Sequence, residues 1–530
     1  MSARELITEN LDLWTGAVTK KSSSGRGSNG KVELTGVKKL RELILELAIR
    51  GRLVEQDSSD EPAHLVLEQL DSSVKKNKGK PRASSGASQP ILPKGWSSFR
   101  VGDYLDFQYG KSLPAKQRDD SGSIAVYGSN GVVGFHTEAL TEASCIIVGR
   151  KGSAGALNKA LDPSWTTDVA YYVQPPQGFD FEFTYLLLQS LHLDRLGKGI
   201  KPGVNRNEAY SLTALLPPLE EQHRIVQKVD ELMALCDQLE QQISDQLEAH
   251  ETLVDTLLGT LTQFENATEL ADNWARLAAH FDTLFTTEQS IDKLKQTILQ
   301  LAVMGRLVEQ NSKDEPAPSF LQRHGIKNHA DSLQGWAEVV LGDLGGVIGG
   351  STPSKAHAEF WDGTIPWVSP KDMKRPLIQD SQDKISEQAV ELTSLKIVPP
   401  HSLLMVVRGM ILAHSFPVAI TGCEVTINQD MKALVPPPEI TPYLLLCLQA
   451  ARSTIIELVD RSSHGTRKLV SEKLWSHVIR IPPIDEQLRI IQKVDDLMAL
   501  CDQLKERLSQ ARETRCHLAE AALADAVGRC

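Results

Sequence analysis

At 530 residues the chain is several times longer than the roughly 150 residues of a typical domain, so more than one folded unit is expected. Its 41% apolar and 24% charged composition is that of a soluble globular chain, and no apolar run nears the ~18 residues of a membrane span, which excludes a membrane protein. The formal charge of -11 is uneven: residues 219–292 hold sixteen acidic and three basic side chains, whereas 72–118 hold ten basic and two acidic, so one acidic segment masks a basic one.

Taken in chain order, residues 1–71 read as an N-terminal helical region, with a helix that stops at Gly51, a residue suited to a helix C-cap. Met1–Trp14 carries Arg4, Glu5, Glu9 and Asp12 rather than a basic flank and apolar core, so no secretion signal is expected. Residues 72–94 form a basic, Ser/Gly/Pro-rich linker, with a similar stretch at 20–31. From 95 to 215 short β-branched runs (145–149, CIIVG; 169–173, VAYYV) alternate with Gly, Pro and Asn, which predicts a mixed α/β domain. Residues 216–332 return to helix. Pro217-Pro218 precede it, Glu221-Gln222 support its first turn, and Val229, Leu232, Cys236, Leu239, Ile243, Gln246, His250, Leu253 and Leu257 keep a heptad seam. A helix over about 219–261 is expected, on the order of 60 Å long. A second α/β segment, 333–480, carries the runs 402–407 (SLLMVV) and 431–435 (MKALV), and 481–530 is a second long helix with Val494, Leu497, Cys501, Leu504, Leu508, Ala511, Arg515, Leu518 and Ala522 along its seam.

Two internal repeats organise these segments. Leu40–Ala63 recurs at Leu294–Ala317 with sixteen identities in twenty-four positions, and Leu216–Glu240 recurs at Ile481–Lys505 with eighteen in twenty-five. The order is a duplication cut open inside one unit, so the two ends of the chain are expected to meet and complete a helical unit that the middle carries continuously. The shorter helices, ending at Gly51 and Gly305, are expected to lie antiparallel on the long ones. A pseudo-twofold molecule follows, with two α/β domains on equivalent helical connectors. Those domains share a faint frame: Gly95-Trp96 with Val101-Gly102-Asp103 matches Gly335-Trp336 with Leu341-Gly342-Asp343, and Gly110-Lys111 loosely matches Gly350-Ser351.

Catalytic signatures are missing. Gly25–Gly30 fits G-x-G-x-x-G without a preceding strand, Gly110-Lys111-Ser112 lacks the earlier glycine of a phosphate loop, and Asp60–Ala63 with its repeat Asp314–Ala317 reads as a post-helix turn. No Pro-Pro pair has the flanks of an amino-methyltransferase, no Glu-x-Lys suggests a nuclease, and the seven cysteines and scattered histidines offer no metal spacing. Cys236 and Cys501 are expected to serve core packing. What remains is binding. Arg150-Lys151, Arg195 with Lys198, Lys201 and Arg206, Lys371 with Lys374 and Arg375, and His464 with Arg467 and Lys468 all fall in the α/β segments beside Gly, Asn or Ser. Such loops can neutralise phosphates and read base edges.

Over essentially its whole length the chain resembles the specificity subunit of type I restriction-modification systems. The motifs that carry the likeness are the doubled P-P-L/I-x-E-Q-x-R-I-V/I-x-K-V-D run at 217–230 and 482–495, Val126–Gly131 followed by Gly149–Gly152, and Gly350–Pro353 with Ile365–Trp367. The resemblance implies an α+β fold: two target recognition domains, each reading half of a bipartite DNA sequence, separated by conserved helices that form an antiparallel coiled coil. It implies a non-catalytic subunit of a DNA-modifying and restricting complex, acting in the cytoplasm in defence against foreign DNA. Two modification subunits would grip the helices and carry S-adenosylmethionine, and restriction subunits would supply ATP- and Mg-dependent translocation and cleavage, this chain binding no cofactor itself. DNA contacts are expected from Tyr109, Lys111, Ser129, Asn130, Arg150, Lys151, Lys198, Lys201 and Arg206 in the first domain. In the second they are expected from Ser351, Thr352, Lys355, Lys371, Arg408, His464, Arg467 and Lys468. The second domain lacks the first one's loop strings and should read a different half-site. The alternative is a coiled-coil scaffold without DNA readout, which leaves the basic loops without a role.

Overall fold

The computed structural model describes residues 7, 10–20, 32–73, 92–119, 121–196, 203–263, 267–331, 333–461 and 467–528. Residues 21–31 with the Gly25–Gly30 string, most of the basic linker (74–91), and Lys198, Lys201 and His464 lie outside them. The chain divides into two units, one of residues 1–246 with 510–530 and one of residues 247–509. No described helix is long and apolar enough to cross a membrane.

In the first unit, helix α1 (Thr35–Ile49) buries Leu40, Leu43, Ile44 and Leu47 along one face. It stops where Gly51 takes a φ of 67°, a conformation that costs a side-chain-bearing residue, and the Arg52 N–H reaches back to the Leu47 carbonyl at 3.0 Å. Helix α2 (Ala63–Ser73) follows. The α/β domain then runs β1 (Ser97–Arg100), β2 (Gln108–Tyr109), β3 (Ile124–Gly128), β4 (Gly131–His136), β5 (Cys145–Gly149), β6 (Leu157–Ala160), β7 (Ser164–Thr166), β8 (Ala170–Val173), α3 (Phe181–Ser190), α4 (Arg206–Ser211) and β9 (Thr213–Leu216). An antiparallel sheet in the order β2-β8-β5-β6 forms its core, with all five residues of β5 buried. A smaller sheet, β4-β3-β7, has β3 and β7 parallel, and β1 pairs with β9. Helix α5 (Leu219–Gln263) leaves this domain directly after Pro217-Pro218.

The second unit repeats the plan. Helix α6 (Glu288–Val303) ends at Gly305, with a φ of 70° and the Arg306 N–H on the Leu301 carbonyl at 3.0 Å, and α7 (Ala317–Arg323) follows. The domain comprises β10 (Ala337–Val340), β11 (Gly346–Gly349), β12 (Ile365–Val368), β13 (Leu377–Ile378), β14 (Asp383–Ile385), β15 (Leu403–Val406), β16 (Val418–Thr421), β17 (Thr426–Ile427), β18 (Met431–Val435), α8 (Thr441–Ala450), β19 (Val459–Arg461), β20 (Arg467–Leu469), α9 (Ser471–Trp475) and β21 (Val478–Ile481), before the long helix α10 (Ile484–Gly528). Its main sheet runs β11-β18-β15-β16-β13, its smaller sheet β14-β12-β17 has β12 and β17 parallel, and β10 pairs with β21. Among the described residues this is the first domain strand for strand, with β13 and the β19–β20 hairpin added, so the frame faintly visible in sequence extends through both sheets.

The repeated sequence blocks converge on one junction in each unit. Asp60 and Asp314, almost fully buried, hold Arg224 and Arg489 at 2.6 Å, so the tetrapeptides expected as post-helix turns also supply side-chain anchors and open α2 and α7. The Ala63 and Ala317 N–H groups donate to the Gly95 and Gly335 carbonyls at 2.9 and 2.8 Å. Gln222 turns back to donate to the Pro217 and Gly178 carbonyls at 3.0 and 3.2 Å and accepts from the Asp180 N–H at 2.7 Å. Gln487 keeps the donation to Pro482 at 2.9 Å. Glu221 and Glu486 are each 1% exposed, and burial raises the pKa of both carboxyls; Glu486 accepts from the Trp336 indole at 3.1 Å. The Glu-Gln pair is therefore the buried lock of the junction as well as support for the helix start.

The long helices depart from the expected seam half-way along. Val229 and Cys236 are buried and Leu232, Leu239 and Ile243 half-buried, as are Val494 and Cys501 with Leu497, Leu504 and Leu508. Beyond that, His250 stays half-buried but Gln246, Leu253 and Leu257 are exposed, and Val254, Leu258 and Leu261 are buried instead. In α10, Ala511, Arg515 and Leu518 are exposed while Ala519 is buried, with Arg512, Cys516 and Leu523 half-buried beside the expected Ala522. The heptad reading fails in both helices at the same step. From Ile243 to Val254 and from Leu508 to Ala519 the seam advances eleven residues, a period matching ~3.67 residues per turn, so a straight helix brings in the next residue where a strict heptad demands supercoiling. Helix α6 packs beside both in the second unit. Asp292 pairs with Lys505 at 2.9 Å and Lys295 pairs with Asp502, so α6 and α10 run antiparallel. Lys293 reaches Glu251 and Asp255 at 2.9 and 2.6 Å and Arg306 the Thr262 carbonyl at 3.0 Å, so α6 runs with the end of α5.

Candidate nucleic-acid interface

Of the contact residues expected in the first domain, those among the described residues gather at one end of its main sheet. Tyr109 closes β2 opposite Tyr171 of β8, whose register places Ala170 beside Gly149 at the end of β5. Gly110 has no room for a side chain, because a Cβ there would stand 2.1 Å from the Thr167 carbonyl oxygen, and the next N–H, of Lys111, donates to the Thr166 carbonyl at 2.9 Å. The Trp165 indole holds the Lys111 carbonyl at 3.1 Å. After β5, the Arg150 and Lys151 N–H groups both donate to the Val169 carbonyl, at 2.9 and 3.1 Å, while the Val204 N–H caps the Arg150 carbonyl at 3.0 Å. The Ser129-Asn130 turn of the β3–β4 hairpin lies on this loop: a Cβ on Gly149 would come within 2.4 Å of the Ser129 carbonyl oxygen.

Aromatic rings fix two of the cations. The Arg150 guanidinium sits 5.3 Å from the Tyr109 ring and that of Arg206, at the start of α4, sits 4.9 Å from the same ring. Tyr109 remains 49% exposed. Arg150 Nε and Nη2 donate to the Asp168 carbonyl at 3.1 and 2.7 Å, and Arg206 donates to the Phe107 carbonyl at 3.4 Å. Tyr210, four residues along α4, donates to Asp106 at 2.7 Å and accepts from the Phe107 N–H at 2.9 Å. Burial, with that Asp106 bond, pushes its hydroxyl up to about 12, so it stays a donor.

The second domain builds the same frame from different side chains. Gly350 is closed to a Cβ by the Asn428 carbonyl oxygen at 1.8 Å, the Ser351 N–H donates to the Ile427 carbonyl at 3.0 Å, and the Trp367 indole holds the Ser351 carbonyl at 3.0 Å. The Val407 and Arg408 N–H groups share the Asp430 carbonyl at 2.8 and 3.2 Å, and the Leu469 N–H caps the Val407 carbonyl at 2.9 Å. Lys151 bridges Gly203 as Arg408 bridges Lys468, and the glycines that follow, Gly152 and Gly409, both have positive φ. Lys151 thus corresponds to Arg408, and Arg150 to Val407. Ser351, Arg408, Arg467 and Lys468 meet at one strand end with Thr352 next in chain; Lys355 and Lys371 are exposed on other connections.

Sequence reasoning missed the Lys151–Arg408 equivalence and the carbonyl-holding Trp165 and Trp367. The signal for the first is an apolar strand ending in cation-Gly, IIVGRKG against LLMVVRG. Among the described residues no cluster of His, Cys, Asp or Glu could hold a metal ion.

Two mixed α/β domains of one topology, joined by long helices, define a duplicated recognition architecture. A family model described as the type I restriction modification DNA specificity domain matches residues 93–249 and 334–512. The EcoEI specificity subunit of Escherichia coli is 32% identical over 98% of this chain and 99% of its own length, and the EcoAI specificity subunit of the same species 30% identical over 98% and 99%. The HsdS subunit from Thermoanaerobacter tengcongensis aligns at 18% identity and a TM-score of 0.41, covering 83% of this chain and 98% of that one. The chain belongs to the specificity subunits of type I restriction-modification systems. Its role is DNA target recognition, a non-enzymatic one, and the scaffold without DNA readout is set aside.

Proposed function

We propose that the two α/β domains are separate readers, each taking one half of a bipartite DNA site, and that the long helices set the unread spacer between them. The observation that carries this reading is the frame common to both domains, which presents a cation at the same backbone position, Lys151 or Arg408, among otherwise different side chains. Tyr109, Lys111, Ser129, Asn130, Arg150, Lys151 and Arg206 line the first reader; Ser351, Thr352, Arg408, Arg467 and Lys468 line the second, flanked by Lys355 and Lys371. Helices α5 and α10 pair as an antiparallel coiled coil in a pseudo-twofold, circular arrangement. The opposite senses in which α6 meets them within one unit, and the junction repeated in both units, support that pairing.

Two modification subunits dock on these helices and bring S-adenosylmethionine; restriction subunits add ATP- and Mg-dependent translocation and cleavage. Half-sites about one duplex turn apart, ~34–36 Å, would face the same side of the DNA, so phase governs recognition as much as contacts do. The test is genome-wide adenine methylation in cells carrying this chain with its modification subunit, against the modification subunit alone. A chain-dependent split motif with a fixed spacer is expected, and a contiguous motif would sink the two-reader geometry.

A further inference from the structure

We infer that Arg150 is the base-reading cation of the first domain and that it takes the O6/N7 edge of a guanine, an inference that rests on the two-reader proposal. Its guanidinium is already oriented without DNA. The Asp168 carbonyl takes Nε and Nη2, at 3.1 and 2.7 Å, and the Tyr109 face lies 5.3 Å away with Tyr171 at 6.0 Å. Of the five guanidinium donors, those on the side edge are consumed, which leaves the Nη1/Nη2 end as a fixed two-pronged fork. That end suits two acceptors side by side, as on guanine in the major groove or on a phosphate.

The second domain decides between these. A phosphate contact carries no sequence information and should persist in both readers, and Lys151 with its counterpart Arg408 does so. Arg150 does not persist: its counterpart Val407 is 7% exposed, and Tyr109 is replaced by Gly349 at the equivalent strand end. Fork and aromatic support are absent together from the reader that should take a different half-site. A phosphate also gains little from fixing the plane of the guanidinium, whereas a base edge fixed in the plane of its pair requires it.

The experiment uses the assembled complex with its modification subunits. Motifs are read from adenine methylation for wild type, R150A, R150K and K151A. Independently, equilibrium binding of the wild-type and R150A complexes is measured on duplexes carrying 7-deazaguanine, which lacks the N7 acceptor, at each guanine of the first half-site in turn. In R150A and R150K one G·C position of the first half-site is expected to become degenerate, with the second half-site and spacer unchanged, while K151A keeps the motif at lower occupancy. At that position 7-deazaguanine should weaken wild-type binding on the order of 10-fold and leave R150A binding unchanged. Should R150A keep every position of the motif at reduced occupancy, or should wild type tolerate 7-deazaguanine throughout the first half-site, Arg150 is a backbone contact and the inference falls while the two readers stand. Absence of any split motif for wild type would instead overturn the two-reader proposal.

Discussion

Single side chains at the junction have unequal jobs despite identical sequence. Gln222 satisfies three backbone groups and Gln487 one, so the loss of each amide leaves different numbers of buried groups unpaired. Q222A is expected to cost about 2–4 kcal/mol and Q487A about 1–2 kcal/mol, read from denaturant unfolding of each variant. Equal losses would mean that the extra bonds to Gly178 and Asp180 contribute nothing. The neighbouring Glu486 is buried with one oxygen on Trp336 and the other without a partner among the described residues. Burial raises its folded pKa, so the ionised form weighs against folding once the pH exceeds that value. E486Q keeps an acceptor for the indole and carries no charge. It should therefore melt higher than wild type near neutral pH, and the advantage should fade as the pH falls through the raised pKa toward the ordinary glutamate range, where wild type is protonated folded and unfolded alike. A gap that widened on acidification would reverse the assignment.

At the scale of elements, the shifted seam makes neighbours on α5 opposites. Val254 is 1% exposed and Leu253 49%. V254D buries a carboxylate without a partner and should cost on the order of 3 kcal/mol or more, while L253D should stay within about 0.5 kcal/mol, as measured by thermal and urea unfolding. The reverse ranking would restore the heptad read from sequence. Why that heptad was legible only as far as Ile243 is physical: spacing along one helix records a repeat, but the residue that turns inward after two heptads is set by helical drift and by α6, whose Lys293 fixes the position of Glu251 and Asp255. The Gly51 and Gly305 stops were legible because left-handed backbone leaves few residue choices. Strands β5, β15 and β18 were legible as apolar runs, yet the common topology of the two domains was not, since the hydrogen bonds that define it join backbones and leave the side chains free to diverge. At the interface, basic loops stood out by composition, whereas the pairing of Lys151 with Arg408 depends on which carbonyls their N–H groups share, 18 and 22 residues further along the chain.

For the whole molecule, the cut-open duplication leaves α5 and α10 each contributing to both units, α5 through 219–246 and 247–263, α10 through 484–509 and 510–528. If these helices pair and set the spacer, lengthening must be made in both, since an insertion in one alone throws its partner out of register. Seven residues added to each, at the unit boundaries, extend the pair by about 10 Å and return each seam to within ~20° of its starting direction. The same length of duplex is about three base pairs at ~3.4 Å each, but three base pairs also rotate the groove by roughly 100°. Reach and phase therefore compete, and the expected result is a spacer one to three base pairs longer with both half-sites unchanged, read from the methylation motif of the double insertion. The single insertions should lose methylation. An unaltered spacer in an assembled double-insertion complex would place the measuring function outside the helices, in the domains or in the partner subunits.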